Sequence, residues 1–173
     1  ATTTTAQAGT ISFATDGVNG LHSLRFFLKP DGRSHTYNID LSNDGFWQGK
    51  VLYLKIEADA TQIEKVELGD TFVGGPDLAL PKAGMVDAFN RAGRPLKVLV
   101  TVQNLGGADA KAVTLRVTRM PKGVVCTTPT RTIATVAATA AATEIFTFSA
   151  QKAVRGEVEF ALESGTETQT ITT

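Results

Sequence analysis

Residues with useful chemistry are sparse, and the densest group lies in one stretch. From Asp40 to Trp47 the chain reads Asp-Leu-Ser-Asn-Asp-Gly-Phe-Trp, so two large aromatic rings follow a run of side-chain oxygens. That combination suits a sugar, because apolar C–H faces stack on a flat ring while amide and carboxylate groups take the hydroxyls. Asn43, Asp44, Phe46 and Trp47 are therefore candidate ligand contacts. Trp47 precedes a glycine and a strand, where a large aromatic also serves to cap a core. Adjacent residues of an extended chain point to opposite sides, which makes Phe46 the exposed partner.

The same oxygens admit a second chemistry. Asp16, Asn19 and Asp40 lie, with Asn43 and Asp44, in two turn-like segments that could contribute to the roughly six to eight oxygens a structural calcium takes. Their spacing does not match an EF-hand loop, and simple turn formation explains the same residues. A third candidate is the face on which Arg25 and Phe27 alternate with Ser23, read as opposing Thr36, Asn38 and Asp40. A mixed polar and aromatic sheet face of that kind is either a shallow glycan platform or a side covered by a neighbouring domain.

Catalytic groups are not arranged for work. His22 and His35 are the two histidines, each beside a strand start and neither spaced with a Ser, Cys or Asp as in a recognised nucleophile motif. No phosphate-cradling glycine loop, His-Glu-x-x-His or cysteine pair occurs. Glu157 and Glu159 share one face of a strand, the pattern of a solvated sheet surface rather than the opposed carboxylates of glycoside hydrolysis. Cys126 is the single cysteine; it can form no internal disulfide and reads as a small buried hydrophobe. The expectation is a protein that is not an enzyme and needs no cofactor beyond that calcium.

The elements that position these residues are strands. The chain has 173 residues, 42% hydrophobic and 20% charged, with net charge zero, a globular composition that excludes disorder, collagen and coiled coil. No Lys/Arg block and no 18-residue apolar stretch is present, so neither nucleic acid nor a membrane span is expected. Ala1–Ser12 is small and Thr-rich and reads as a linker running into a strand. Thereafter period-two apolar runs alternate with Gly, Pro, Asn and Asp clusters. In the first part these are Leu24-Phe26-Leu28, Tyr37-Ile39-Leu41 and Leu52-Leu54-Ile56, with Pro30-Asp31-Gly32 turning the first two into a hairpin over Arg25–Leu41. Ile63–Leu68 reads as an edge strand or bulge.

A boundary is expected after Gly75, where Val73-Gly74-Gly75-Pro76 closes one run of strands. Charge changes there as well: residues 1–75 hold 6 basic and 9 acidic side chains, residues 76–173 hold 11 and 8. In the second part, Leu96-Val98-Val100-Val102 and Val113-Leu115-Val117 flank a turn through Asn104-Leu105-Gly106-Gly107. Phe146-Phe148 and Val158-Phe160-Leu162 follow, and the terminal Thr-rich run supplies an edge strand. The alanine-rich segment after Thr135 reads as strand, ordered loop and strand. About seven strands in this length suit an immunoglobulin-like sandwich.

Two resemblances sharpen these expectations. Pro76-Asp77-Leu78, VLVTVQNLGGADA, VTLRV, MPKGV, EIFTF and GEVEF resemble the immunoglobulin-like accessory domains of bacterial surface and secreted proteins, of the cell-adhesion-related or carbohydrate-binding-module-associated type. SLRFFLKPDG, YNIDLSNDGFWQGKVLYLKIEAD and IEKVELG resemble the later strands of jelly-roll modules appended to secreted polysaccharide-degrading enzymes. Five strands are read there where a jelly roll has about eight, as in an abbreviated sandwich or a piece of a longer module. The resemblance implies an all-β chain of two β-sandwich modules, a short or partial jelly roll over 1–75 and an immunoglobulin-like sandwich over 76–173. It further implies a non-catalytic accessory region, extracellular or at the cell surface, that binds glycan or acts as a spacer. Its partner would be polysaccharide or a neighbouring catalytic domain. A structural or adhesin-type pair without a ligand is the alternative.

Overall fold

The structure is a computed structural model and describes residues 7–58, 62–87, 91–164 and 167–173. Those residues form eleven strands in three antiparallel sheets and no helix, so the fold is all-β. The chain divides into two compact units, Ala1–Phe72 and Val73–Thr173. The division falls before the expected boundary because Val73 and Gly75 already pack with the second unit. Gly107 donates its N–H to the Gly75 carbonyl at 3.1 Å, and a Cβ on Gly106 or Gly107 would collide with the backbone of residues 73–77.

The first unit holds β1 (Gln7–Thr15), β2 (His22–Leu28) and β3 (Val51–Ala58), in the order β2-β1-β3. Residues 7–12, assigned to the linker from composition, belong to the central strand; residues 1–6 lie outside the described residues. Gly9 fits there because the Phe26 ring occupies the space a Cβ would need. One face gathers Ile11, Phe13 and Thr15 opposite Leu24 and His22 on β2 and Ile56, Leu54 and Val51 on β3.

Several strand readings need correction. β2 pairs with β1, not with residues 37–41, so the hairpin over Arg25–Leu41 does not form. Tyr37–Leu41 is loop: Asp40 takes the N–H and hydroxyl of Ser42 and the amide of Asn43, local bonds that compete with a ladder. The register slips between Ala14 and Thr15, turning Val51 inward beside Leu54 and Ile56 and leaving Leu52 64% exposed. Ile63–Leu68 joins no sheet and remains exposed.

The second unit is a two-sheet sandwich of eight strands, one more than expected. One sheet has β4 (Leu78–Met85), β5 (Leu96–Asn104), β9 (Ala141–Ala150) and β7 (Val124–Cys126), in that order. The other runs β11 (Glu167–Thr172), β10 (Glu159–Ser164), β6 (Ala110–Arg119), β8 (Thr130–Val136). The chain crosses between the two sheets, so that β7 lies at the edge beside β9 and β8 at the edge beside β6. Val98, Val100 and Val102 face Val113, Leu115, Phe160 and Leu162 in one buried cluster, each side chain contributing about 1.5–3 kcal/mol on burial. Phe160 joins the sheets, its ring 5.1 Å from Phe146 and 6.2 Å from Phe148. Ala112, at φ 51°, resets the alternation of β6 so that Ala110 and Val113 both point inward.

One polar side chain sits in that core. Asn104 is fully buried. Its Oδ1 accepts the N–H groups of Asp77 and Gly106, each at 3.1 Å. Its Nδ2 donates to the carbonyls of Ala108, Val136 and Ala137 at 2.8, 3.1 and 3.2 Å. A single amide thus ties the lead-in to β4, the β5–β6 turn and the end of β8. Truncating it strands buried donors and acceptors, so Asn104→Ala is expected to cost about 3 kcal/mol or more and to lower the melting temperature by roughly 10–20 °C. Asn104→Asp should lose comparable stability by setting a carboxylate against three carbonyls, whereas Thr101→Ala, changed on the same strand, should cost far less in the same calorimetric scan.

Candidate functional site

A three-stranded sheet has no second sheet to bury its apolar face, and here residues 29–50 lie over it. Three rings do the covering. Tyr37 stands 6.0 Å from Phe26, and its hydroxyl accepts the Lys29 N–H at 3.0 Å. Trp47 meets Phe13 edge-on at 5.1 Å and 82°, and Phe46 stacks on His22 at 3.9 Å and 10°. Phe13 is fully buried, Trp47 is half-buried and Phe46 remains 49% exposed. Phe46 therefore offers an open ring on a supported base.

The backbone around Phe46 is held by its own side chains. Asp44 accepts the Phe46 N–H at 2.9 Å and, through its carbonyl, the Trp47 N–H at 3.0 Å. Gln48 donates to the Gly45 carbonyl at 2.7 Å. At the far end Asp16 and Lys50 exchange two bonds, with Lys50 N–H on Asp16 Oδ1 at 2.6 Å and Asp16 N–H on the Lys50 carbonyl at 3.0 Å. Gly49, at φ 79°, lies where a Cβ would press on that carboxylate. His22 Nε2 lies 3.3 Å from the Asn19 carbonyl; a carbonyl only accepts, so Nε2 is the donor.

The candidate contacts fall on two different surfaces. Asn43, Asp44, Phe46 and Trp47 come together in the covering loop. Arg25 and Phe27 lie on the opposite face of the sheet, where they pair with Thr10 and Ala8 rather than with Thr36, Asn38 and Asp40. That face also carries Ser12, hydrogen-bonded to Ser23 at 2.9 Å, and the Lys55–Glu57 ion pair at 2.6 Å. The Asp40 carboxylate is engaged within its own turn by Ser42 and Asn43, the Asp16 carboxylate takes the distant Lys50 N–H, and Asn19 is engaged through its carbonyl by His22. Among the described residues no group of three or more His, Cys, Asp or Glu is placed to hold a metal. Sequence reasoning missed His22 as part of the aromatic site; its signal is the β1–β2 register, which sets it opposite Phe13.

His35 works elsewhere in the loop. Its Nε2 lies 2.8 Å from Asp31 Oδ1, which also accepts the Arg33 N–H at 3.0 Å. Partial burial pushes the Asp31 carboxyl up, but the His35 and Arg33 bonds together with the His35 and Lys29 charges outweigh it and hold the group below its ordinary 3.8. Asp40 is likewise lowered, first by the Ser42 hydroxyl and N–H, which outweigh desolvation, with a lesser pull from the Asn43 amide. Cys126 is buried and its thiol is pushed up by desolvation, against weaker pulls from the Thr128 N–H and Arg131. No protein-family model and no characterised protein matches this sequence.

Two measurements follow from these environments. Because the folded pKa of Asp31 and Asp40 is depressed, their contribution is fully present above 3.8 and is lost as pH falls through the lower folded values. Carboxyl NMR titration of the native protein should give both midpoints below 3.8, and Asp31→Asn should flatten the acid limb of the stability curve. Cys126 should react with a maleimide about tenfold or more slowly in the folded protein than in denaturant at the same pH.

Proposed function

We propose that this chain is a non-catalytic accessory region of a secreted or surface-attached bacterial protein, and that its first unit binds glycan through Phe46. The observation that carries the reading is the half-exposed Phe46 ring stacked on His22, in the loop that also holds Asp44, whose carboxylate accepts the Phe46 N–H, and Asn43, whose amide donates to Asp40. An open ring next to amide and carboxylate groups suits a pyranose face and its hydroxyls. Trp47 is a support in this reading: it wedges the loop against Phe13 while Phe46 makes the contact. The second unit, locked through Asn104 and the phenylalanine core, serves as a spacer. A weak, surface-level contact matches positioning rather than turnover, since tethering a module to polymer raises the effective concentration of whatever it is attached to. The association with polysaccharide-degrading enzymes and the extracellular setting rest on the resemblance of the strand motifs.

Affinity electrophoresis of the full chain through gels carrying a panel of neutral plant and microbial polysaccharides tests it. At least one polymer should retard migration, and Phe46→Ala should weaken that retardation by about tenfold, roughly 1.4 kcal/mol. Phe72→Ala, which removes another exposed ring of the same unit, should leave it unchanged. Silence across the panel, or an unaffected Phe46→Ala, favours the structural or adhesin-type alternative.

A further inference from the structure

A second surface, in the other unit, has a different chemistry. The turn that follows β6 and the segment that leads into β10 form the walls of an open depression of about 570 Å³, lined by Arg119, Met120, Pro121, Lys122, Arg155 and Glu157 together with Gly156. The two walls are fixed to each other and to the sandwich. Gly156 packs so closely on the Pro121 ring that a Cβ would lie 2.7 Å from its Cγ. The turn closes with Val124 N–H on the Pro121 carbonyl at 3.1 Å, and Val158 exchanges two backbone bonds with Thr173 at 2.9 and 3.0 Å.

The charges in this depression are not equivalent. The Arg119 guanidinium stands 3.8 Å from both Glu157 and Glu159 and is balanced by them. Lys122 and Arg155 are exposed and make no ion pair among the described residues. They sit beside apolar surface from Met120, 37% exposed, and Val154, 41% exposed. The depression thus offers two available cations, one of them a planar fork that takes a carboxylate bidentately, next to a partly apolar surface. The unit as a whole carries excess positive charge, 11 basic against 8 acidic side chains over residues 73–173.

We infer that this depression binds an acidic polysaccharide, a polyuronate, with Arg155 and Lys122 on successive carboxylates and Met120 and Pro121 against the C–H faces of the sugar rings. Nucleic acid fits less well: phosphate-backbone binding at physiological salt draws on about six to ten cationic contacts, whereas this depression supplies two unbalanced cations, Lys122 and Arg155. The open form admits the interior of a polymer and does not demand a chain end. The inference adds a second surface to the glycan-binding reading and uses none of the residues on which that reading stands.

The test is affinity electrophoresis of the full chain in gels containing polygalacturonate, neutral galactan or no polymer, with duplex DNA as a further arm. Polygalacturonate should retard the protein, less so as salt is added. The pair Lys122→Gln and Arg155→Gln should weaken retardation about tenfold, with an unchanged melting temperature showing that the fold is intact. The equal charge change made by Lys82→Gln with Lys97→Gln should leave it close to wild type. Phe46→Ala should retain polygalacturonate binding, so that failure of the aromatic platform and failure of this depression are read separately. No retardation by polygalacturonate, the same loss from the Lys82 and Lys97 pair, or equal retention by DNA would overturn the inference.

Discussion

The constraint behind the first unit is that three strands present an apolar face and have no partner sheet to bury it. Ile11, Phe13, Leu24, Phe26, Leu54 and Ile56 line up there because of a single register, and leaving them in water would forfeit the hydrophobic gain that orders the chain. A covering loop meets the need with rings, since one aromatic side chain shields far more area than an aliphatic one. Tyr37 and Trp47 lean on Phe26 and Phe13, and their neighbour Phe46 is carried out onto His22. The exposed ring is thus a consequence of how the sheet is closed.

The second unit meets a different constraint, because two full sheets already bury one another. Its vulnerable point is where chain segments cross at the end of the sandwich with backbone groups cut off from water. Asn104 satisfies five of those groups with one side chain, and Gly106 and Gly107 let the lead-in to β4 pass close enough to be bound. At the edge of the sandwich Gln169 donates to the Leu78 carbonyl, joining β11 to β4.

Strand alternation was legible wherever both faces of a strand meet the same kind of environment along their length. Val98-Val100-Val102, Val113-Leu115-Val117 and Phe146-Phe148 are all buried as their period-two spacing implies. Tyr37-Ile39-Leu41 has the same spacing, yet the Asp40 turn bonds and the need to cover β1 hold it as loop. Leu52 shows the limit from another side, for one bulge moves a residue from core to solvent with no trace in composition. Partner choice was the least legible feature. Nothing local in residues 22–28 says that they pair with residues 7–13 and not with the next apolar run, because ladder bonds are made by backbone common to every residue. The aromatic site inherits that: Asn43, Asp44, Phe46 and Trp47 were visible as neighbours in sequence, whereas His22 enters only through the pairing of β1 with β2.

Closure of the first sheet by aromatic contacts from its own loop is the claim on which the functional reading stands. A two-dimensional NOE spectrum of the full chain near neutral pH measures it directly. Cross-peaks from the Trp47 indole to the Phe13 ring and from the Phe46 ring to the His22 imidazole, alongside the cross-strand peaks of β1 with β2 and β3, are the predicted result. Intact cross-strand peaks with neither ring pair present would contradict the account.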